Sequence, residues 1–513
     1  MLACSPRPVV VSFTEVGLEN DRATAGLRRR CVAWGCATLT VVLASAGCAD
    51  EGDVVGTRAE LGPPSVSVVA PIPGISNVNA NEVSAIYSPG NLTRYGTFVM
   101  QYNGGGGPSV NGWSWSTDGL GYHRCNVRGN TDTACGGVTP DPIASFGAWG
   151  GDPYLASTQD GTGVVVATNG GKTVGSAYWN IVVAALSVDG GRTFPMSMTI
   201  SDKGEGCNDG DQDQQAIALD GAPGSHRFWT AWRHDGAISV GGAYGACLRG
   251  FNVSSTGVVD FLNTTSHEVE NLTHPTGSSI GGIIVQGGPS PIDGRDAVTI
   301  VYADRFTGGS AHSCQAPQDL KWYAVTTYDG GVNWTSSHLI YASQAYSDCA
   351  DTNRIYSGGR DFGFARDPSG GYWVAVHDTT GTIRLFLSTN DGVTWSAVTT
   401  VSPGGSVFFP TVAADSSGHI LLTYYRTSGV NVWVELTAGT GHLGDAWSSP
   451  VVVSSNSPEP ASGSGMFGDY MAIAAVDSSF TGAAPGFMAA FTSLDPPSPF
   501  LPRIDAAWAQ VSP

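Results

Sequence analysis

The sequence predicts an all-β protein, because three observations point to many short strands joined by tight turns. Charged residues make up only 13% of the 513 residues, against an average of roughly 25%. The 70 glycines and 29 prolines lie between hydrophobic runs rich in Val, Ile, Tyr and Trp, which is typical of strands bounded by turns. A turn sequence also recurs along the chain. The 14 tryptophans argue against a disordered chain.

The recurring turn is a predicted hairpin, and its fullest copy runs from Leu387 to Trp395. Leu387 ends a strand, residues 390–392 (Asn-Asp-Gly) tolerate positive φ, and Trp395 opens the return strand and folds back over the turn. Three further stretches align with it, the last as a weaker copy: Ser187–Phe194, Thr327–Trp334 and Ser116–Gly119.

These copies resemble the Asp box, or bacterial neuraminidase repeat, of the sialidase-like β-propellers. In that family the box is a structural hairpin at the blade periphery, so the resemblance implies a fold more than a reaction. It implies structural roles for Ser187, Asp189, Gly191, Phe194, Asp329, Gly331, Trp334, Ser388, Asp391, Gly392 and Trp395.

A longer repeat surrounds the boxes: a first strand, a glycine turn, a second strand ending in an aromatic residue, and a strand entering the box. Seven such units begin near Val83, Tyr154, Gln215, Gly282, Phe362, Pro410 and Tyr470. This spacing predicts one propeller over residues 63–513, with seven four-stranded blades. Residues 65–70 would supply the missing strand of the last blade and remove a free edge. A six-bladed ring, as in the sialidases, is the alternative.

The start of the chain predicts export. Residues 28–30 are arginines, an apolar run extends from Cys31 to Leu43, and small residues precede Cys48, as in a signal peptide over residues 1–47. The run is too short to span a bilayer. Residues 45–48 resemble a bacterial lipobox, so we expect lipidation of Cys48, followed by an acidic tether at 48–62. The long, acidic stretch before residue 28 indicates that translation starts further in.

Removal of the signal and lipidation of Cys48 would leave six cysteines, an even number that predicts disulfides in an exported protein. Local closure favours three pairs: Cys125 with Cys135, Cys207 with Cys247, and Cys314 with Cys349. The absence of a CxxC spacing disfavours the rival hypothesis of a zinc site.

Ligands of a propeller bind at one end of its central channel, where the loops after each second strand and before each first strand gather. Candidate binding residues in these loops are Arg233, His234, Arg305, Arg360, His377, Asp378 and Arg426. Arginines from several blades can converge on the carboxylate of an acidic sugar. The alternative is a solvated rim in which neighbouring Arg and Asp residues merely pair.

The sialidase resemblance implies three arginines on the substrate carboxylate, a Tyr nucleophile paired with a Glu, and an Asp acid or base. Tyr470 or Tyr425 would be the nucleophile, and Asp152 or Asp469 the acid. The family's Arg-Ile-Pro signature is absent, because residues 82–87 read Glu-Val-Ser-Ala-Ile-Tyr. No glutamate falls in an obvious loop at this end, so hydrolysis stays undecided.

The charge of −19 argues against nucleic acid and anionic membrane surfaces as partners. Asp209, Asp211 and Asp213 alternate in a pattern that Ca²⁺ accepts, although an acidic turn before a strand is the preferred interpretation. No other cofactor is expected.

The predicted function is therefore recognition of a glycan, acidic in the sharper form of the hypothesis, by a monomeric propeller that is secreted or anchored to the bacterial envelope through its lipid. Cleavage as an exo-glycosidase is one form of this hypothesis. The alternatives are a surface propeller that binds a glycan or protein without turnover, a polysaccharide lyase with a Tyr or His base, and an envelope assembly platform.

Overall fold

Strands dominate the structure, a computed structural model, and the prediction of an all-β protein is confirmed. It describes residues 65–75, 81–90, 95–103, 111–119, 121–125, 134, 151–174, 177–201, 210–236, 244–262, 266–269, 272, 278–306, 318–346, 362–378, 381–428, 431–454, 457–458, 471–477, 480, 486–494 and 502–512. No helix among these residues has the length and apolar character to cross a membrane. The predicted signal peptide and tether lie outside them.

Among the described residues, thirty strands form seven antiparallel sheets that follow one another along the chain. The first strand is β1 (Ser65–Ile75). Blade 1 contains β2 (Asn81–Ser88), β3 (Thr97–Asn103), β4 (Asn111–Ser116) and β5 (His123–Cys125). Blade 2 contains β6 (Gly151–Ser157), β7 (Val164–Val174), β8 (Ala177–Ser187) and β9 (Met196–Thr199). Blade 3 contains β10 (Gly210–Leu219), β11 (Arg227–Gly236), β12 (Tyr244–Val253), β13 (Val259–Phe261) and β14 (His267–Glu268).

Blade 4 contains β15 (Ser278–Pro289), β16 (Asp296–Phe306), β17 (Gln318–Thr327) and β18 (His338–Tyr346). Blade 5 contains β19 (Phe362–Arg366), β20 (Tyr372–His377), β21 (Ile383–Ser388) and β22 (Ser396–Val401). Blade 6 contains β23 (Ser406–Ala414), β24 (Ile420–Ser428), β25 (Asn431–Gly439), β26 (Val451–Val452) and β27 (Ser457–Pro458). Blade 7 contains β28 (Ala472–Val476), β29 (Gly486–Leu494) and β30 (Pro502–Ser512).

The ring is closed by the strand nearest the start of the described chain. β1 pairs antiparallel with β30, with Ser65 opposite Ser512, and so becomes the fourth strand of blade 7. This confirms the predicted closure and the seven-blade count. Hydrogen bonding between the two ends of the chain protects the edge that blade 7 would otherwise expose.

The hydrophobic core lies between blades. In the part of the chain that the structure describes, seven clusters of buried side chains each join one blade to the next, and the cluster between blades 7 and 1 completes the circle. Each sheet is therefore covered on both faces, which is why a second strand such as β20 is buried at every position and lacks alternation of polar and apolar residues. Large side chains such as Trp232, Trp322 and Trp373 fill these spaces.

The predicted boxes are hairpins between the third and fourth strands of their blades. In blade 2, the Ser187 hydroxyl donates to Asp189 Oδ1 at 2.7 Å and accepts the Gly191 N–H at 2.8 Å. Asp189 also accepts the backbone N–H of Thr193 at 3.0 Å. Thr327, Asp329 and Gly331 repeat this pattern in blade 4. The Trp334 indole donates to the Gly331 carbonyl, so the aromatic ring does fold back over its turn.

In blade 5 the alignment of Asp391 with the box aspartates is wrong by one position. Asn390 occupies the aspartate position, because its Oδ1 accepts the Ser388 hydroxyl at 3.0 Å and the Thr394 N–H at 2.9 Å. Asp391 has a positive φ of 56° and is 1% exposed. Its carboxylate instead accepts the hydroxyl of Ser290, in blade 4, at 2.6 Å, so it links two blades.

Candidate functional site

The central channel is lined by the first strands of all seven blades. It encloses a cavity of about 340 Å³, walled largely by small residues that include Ala85, Ala156, Ala218, Ala365 and Ala413. Small side chains are needed because seven strands converge here.

Larger side chains narrow the channel toward one end. They are Tyr154, Ile284, Phe362, Phe409 and Met471, which surround only about 20 Å³. Phe362 begins β19 and Met471 immediately precedes β28, whereas Tyr154, Ile284 and Phe409 lie further along their first strands. The wider part of the cavity therefore lies toward the other end.

The two ends of the ring differ in the turns that they carry. The turns between first and second strands, and the Asp boxes, lie at one end, which we call the box end. The loops between second and third strands lie at the other, which we call the opposite end, and this is where the sequence places ligand binding. Arg360, Asp469, Tyr470 and Asp209 lie outside the described residues, as do the side chains of Asp211, Asp213 and Arg305.

Arg426 belongs to a cluster at the opposite end of blade 6. Its Nε contacts Glu435 Oε1 at 2.6 Å, and the Tyr424 hydroxyl donates to Glu435 Oε2 at 3.1 Å. Its guanidinium lies 4.8 Å from the ring centre of Trp433, its cross-strand partner. The side chain of Glu435 is 6% exposed and that of Arg426 is 20% exposed. The carboxylate of Glu435 is therefore buried, whereas the side chain of Arg426 is partly exposed to water.

A second cluster of the same composition lies between blades 4 and 5. Arg384 Nε contacts Asp378 Oδ2 at 2.9 Å, and its guanidinium lies 5.2 Å from the ring centre of Tyr341. The Thr382 hydroxyl donates to Asp378 Oδ1 at 2.7 Å. The carboxylate is buried, with 3% of its side chain exposed, while that of Arg384 is 38% exposed.

Both arginines hold their carboxylate through Nε, and among the described residues neither makes another ion pair. The outer edge of each guanidinium, formed by its two terminal nitrogens, can therefore meet a ligand. This edge can bind a carboxylate with two parallel hydrogen bonds. Sequence analysis found Arg426 and Asp378 but missed Arg384, Tyr341 and Trp433, because each lies within a third or fourth strand instead of a loop. The sequence did contain one clue to this cluster, because Arg384 is the one charged residue in the otherwise largely apolar β21.

Tyr424 and Tyr425, which lie near this end, are poorly suited to nucleophilic attack. Tyr425 is 1% exposed, its hydroxyl donates to the Thr492 carbonyl at 3.0 Å, and it accepts the Thr492 N–H at 2.8 Å. Burial raises the pKa of Tyr425 well above its usual range. Burial, reinforced by the charge of Glu435, does the same to the pKa of Tyr424. An activated nucleophile needs a lowered pKa and access to substrate.

The other predicted residues lie on separate blades. Arg233 donates through Nη1 to the Ile280 carbonyl of blade 4 at 3.2 Å, and the imidazole of His234 packs against Gly245. His377 is 4% exposed. Asp152 begins blade 2 with a positive φ of 51°, and its carbonyl accepts a hydrogen bond from Gln215. Of the predicted arginines whose side chains are described, Arg233 and Arg426 share this end of the ring but lie on blades 3 and 6 and contact different partners.

Metal and disulfide predictions are only partly covered by the described chain. Among its side chains, no group of three or more His, Cys, Asp or Glu residues is arranged to hold a metal ion. Cys125 and Cys247 are each in a disulfide. Their predicted partners, Cys135 and Cys207, lie outside the described residues, as do Cys314 and Cys349. The calcium site and the cysteine pairing stay predictions.

The sequence matches no protein-family model and no curated protein. Among solved structures, a protein of unknown function from Dyadobacter fermentans has a TM-score of 0.41 and 14% identity, over 71% of this chain and 95% of that one. The GH93 α-L-arabinofuranosidase of Fusarium graminearum has a TM-score of 0.38 and 13% identity, over 70% and 92%. The intramolecular trans-sialidase from Ruminococcus gnavus has a TM-score of 0.35 and 10% identity, over 84% and 94%. These similarities are distant.

Proposed function

We propose that the protein is an exported propeller that binds acidic carbohydrate at the opposite end of the ring, without cleaving it. The observation that carries this proposal is the pair of clusters built alike on neighbouring blades. In each, a buried carboxylate holds Arg384 or Arg426 by Nε beside a partly exposed aromatic ring.

The chemistry of the clusters suits an acidic sugar. The terminal nitrogens of a guanidinium match the two oxygens of a carboxylate. A Tyr or Trp ring beside them offers a rigid apolar surface with little side-chain entropy to lose. Because each arginine is already oriented by its buried partner, the ligand would meet a preorganised group and bind with a smaller entropic cost.

Binding without turnover is preferred over hydrolysis because of the tyrosines. A sialidase-like mechanism needs an accessible Tyr paired with a Glu. Tyr424 and Glu435 do form such a pair, but Tyr424 is fully buried and its hydroxyl is held by the carboxylate. An exo-glycosidase that uses Tyr470 is the second candidate, and a turnover assay separates the two.

Export is part of the proposal and rests on the first 48 residues of the sequence. We expect the mature protein to begin at a diacylglyceryl-modified Cys48. Intact-mass measurement of protein purified from the cell envelope tests this point. A mature protein that starts elsewhere would exclude the anchor and leave simple secretion.

The binding test is a glycan array of matched acidic and neutral sugars, probed with the wild type and with Arg384→Ala and Arg426→Ala. Loss of one charge-assisted contact should weaken acidic-glycan binding by about 1.5 to 3 kcal/mol, or roughly ten- to hundred-fold. Neutral glycans should change far less. Thermal unfolding reports whether each variant stays folded.

Arg295→Ala is the matched control, because Arg295 pairs with Asp293 at 2.9 Å and lies 3.8 Å from the Tyr328 ring centre at the box end. It should bind acidic glycans like the wild type. Equal binding by folded Arg384→Ala and Arg426→Ala variants would refute the proposed site. If mass spectrometry detects free sugar released from the bound glycans, the protein hydrolyses its ligand and the binding-only proposal is wrong.

A further inference from the structure

The central channel contains a feature that the glycan proposal does not use. Arg366, the last residue of β19, lies at the box end of the channel and lines its cavity. It is the one charged side chain among the described residues that form the wall. The other wall residues are uncharged: most are apolar, and Gln286 is among the polar ones.

Arg366 has no carboxylate partner among the described residues. By contrast, Arg227, Arg295, Arg384 and Arg426 each contact an Asp or Glu within 3.3 Å. Asp220 lies beside the turn that Arg366 touches, but its carboxylate contacts Arg227 at 3.3 Å and accepts the Ala222 N–H at 3.1 Å. A partly buried cation without a counterion is energetically costly, so an anion would stabilise it.

The surrounding turns are shaped to admit the guanidinium. A Cβ at Gly221 would lie 2.6 Å from Nη1, one at Gly288 would lie 2.7 Å from Cζ, and one at Gly370 would lie 3.1 Å from Nη2. These glycines come from blades 3, 4 and 5. Nη2 also donates to the Pro289 carbonyl at 2.5 Å. Three blades therefore hold the group in one place.

A buried tyrosine holds the blade side of the guanidinium. Tyr372 is directly opposite Arg366 on β20 and is fully buried, and its hydroxyl lies within hydrogen-bonding range of Arg366 and Thr299. Among the described residues, the Pro289 carbonyl is the acceptor that a terminal nitrogen of Arg366 contacts. Because buried donors are normally paired, the remaining donors of the terminal nitrogens suit an acceptor group in the channel.

We propose that the central channel, entered from the box end, binds a small organic monocarboxylate whose carboxylate contacts Arg366 and whose apolar body lies against the alanine-rich wall. A single guanidinium matches a single carboxylate. The volume of about 340 Å³ lies at the low end of the range for small-molecule sites. The layer of Tyr154, Phe362 and Phe409 would stop the ligand short of the opposite end.

The test is isothermal titration of the full exported protein with sodium butyrate. 1-Butanol serves as a neutral molecule of similar shape and sodium chloride as the salt control. Butyrate should bind one to one and at least tenfold more tightly than butanol. Arg366→Gln should weaken butyrate binding by about ten- to hundred-fold and leave the weak binding of butanol unchanged. Ala414→Leu, which narrows the box end of the channel, should weaken both.

Equal affinities of butyrate and butanol, or unchanged butyrate binding in Arg366→Gln, would overturn the proposal, as would no butyrate binding to the wild type. If Arg366→Gln does not fold, Arg366→Lys and Ala414→Leu decide the question. The lysine keeps the charge but not the planar pair of donors, so it should bind butyrate more weakly than the wild type. Wild-type affinity in both variants would show that the ligand does not occupy this channel. Glycan binding is independent of this result, because it concerns the other end of the ring.

Discussion

An arginine, a carboxylate and an aromatic ring meet at both ends of the ring but in different surroundings. At the box end, Arg295 pairs with Asp293 and covers Tyr328, and the Arg and Asp side chains are 58% and 44% exposed. At the opposite end, Arg426 pairs with Glu435 and lies near Trp433, and the corresponding values are 20% and 6%. The first cluster lies in water, and the second is largely withdrawn from it.

This difference decides what each cluster can do. An exposed ion pair is screened by water and salt and contributes little free energy, so Asp293 orients Arg295 only weakly. A buried carboxylate holds its arginine in one orientation because an unpaired charge there would be costly. The comparison teaches that burial of the carboxylate, more than the presence of an arginine, prepares a site for a ligand.

The largest test of this comparison removes the buried carboxylate. Glu435→Ala leaves Arg426 and the Tyr424 hydroxyl without their acceptor, so we expect the free energy of unfolding to fall by about 3–5 kcal/mol. Asp293→Ala removes the exposed counterpart and should change it by about 0–1 kcal/mol. Urea unfolding at neutral pH measures the change in free energy for both variants. Equal changes would show that the two clusters do not differ in how firmly the carboxylate holds its arginine.

A second test asks whether burial or position in the ring matters, because the box end also contains a buried carboxylate. Asp391→Ala deprives the buried Ser290 hydroxyl of its acceptor, and Ala tolerates positive φ less well than Asp, so we expect a loss of about 2–3 kcal/mol. Asn390→Ala removes only turn hydrogen bonds near the surface and should cost about 1 kcal/mol. Denaturant unfolding ranks the two.

A spectroscopic signal accompanies the second test. Burial, and then the charge of Asp391, raises the pKa of Tyr328 to about 12. The Asp391→Ala variant should bring this pKa closer to the usual value, which absorbance at alkaline pH can follow. If Asn390→Ala proves the more damaging substitution, the corrected box alignment in blade 5 is mistaken.

The smallest expected effect concerns an exposed box carboxylate. Burial alone would raise the pKa of Asp329, but hydrogen bonds from Asn333, Thr327 and Val332 lower it below its usual value. The contribution of Asp329 to stability is therefore present above the usual pKa of about 3.9 and lost as the pH falls through the lower folded-state pKa.

Asp329→Asn gives blade 4 the residue that blade 5 already has at Asn390. The variant should remain folded and lose less stability than the wild type between about pH 5 and pH 2, a window that contains the usual Asp pKa of about 3.9 and extends below it because the folded-state pKa is lower. Urea unfolding across this range is the measurement. Parallel pH profiles for the two proteins would show that the box hydrogen bonds do not depend on the charge.

The repeat determined most of the fold in advance. The predicted unit starts at Val83, Tyr154, Gln215, Gly282 and Phe362 all fall within first strands, because hydrophobic runs and glycine turns are local properties. Closure by residues 65–70 was also predictable, since the last unit lacked one strand and an open edge is unfavourable. The box error at Asp391 arose because two turn-forming residues stand side by side, and only hydrogen bonding separates them.

The candidate site was less predictable because side chains alternate between the two faces of a strand. Tyr424 faces blade 5 and reaches Glu435, while Tyr425 faces blade 7 and reaches Thr492. A shift of one residue therefore exchanges the partners completely. Loop position brought Tyr425 and Arg426 to attention, but Arg384, Tyr341 and Trp433 lie within strands and carried no comparable signal.

The sequence by itself determined the class of fold and the position of the Asp-box hairpins, and it favoured seven blades over six, because each depends on spacing and turn chemistry within one repeat. Only the tertiary structure decided which arginines are held by buried carboxylates and which line the channel. Arg384 meets Tyr341 from the preceding blade, and Arg366 lies among glycines from three blades. Such contacts depend on how neighbouring sheets pack, and the spacing of residues within one blade does not predict how that blade packs against the next.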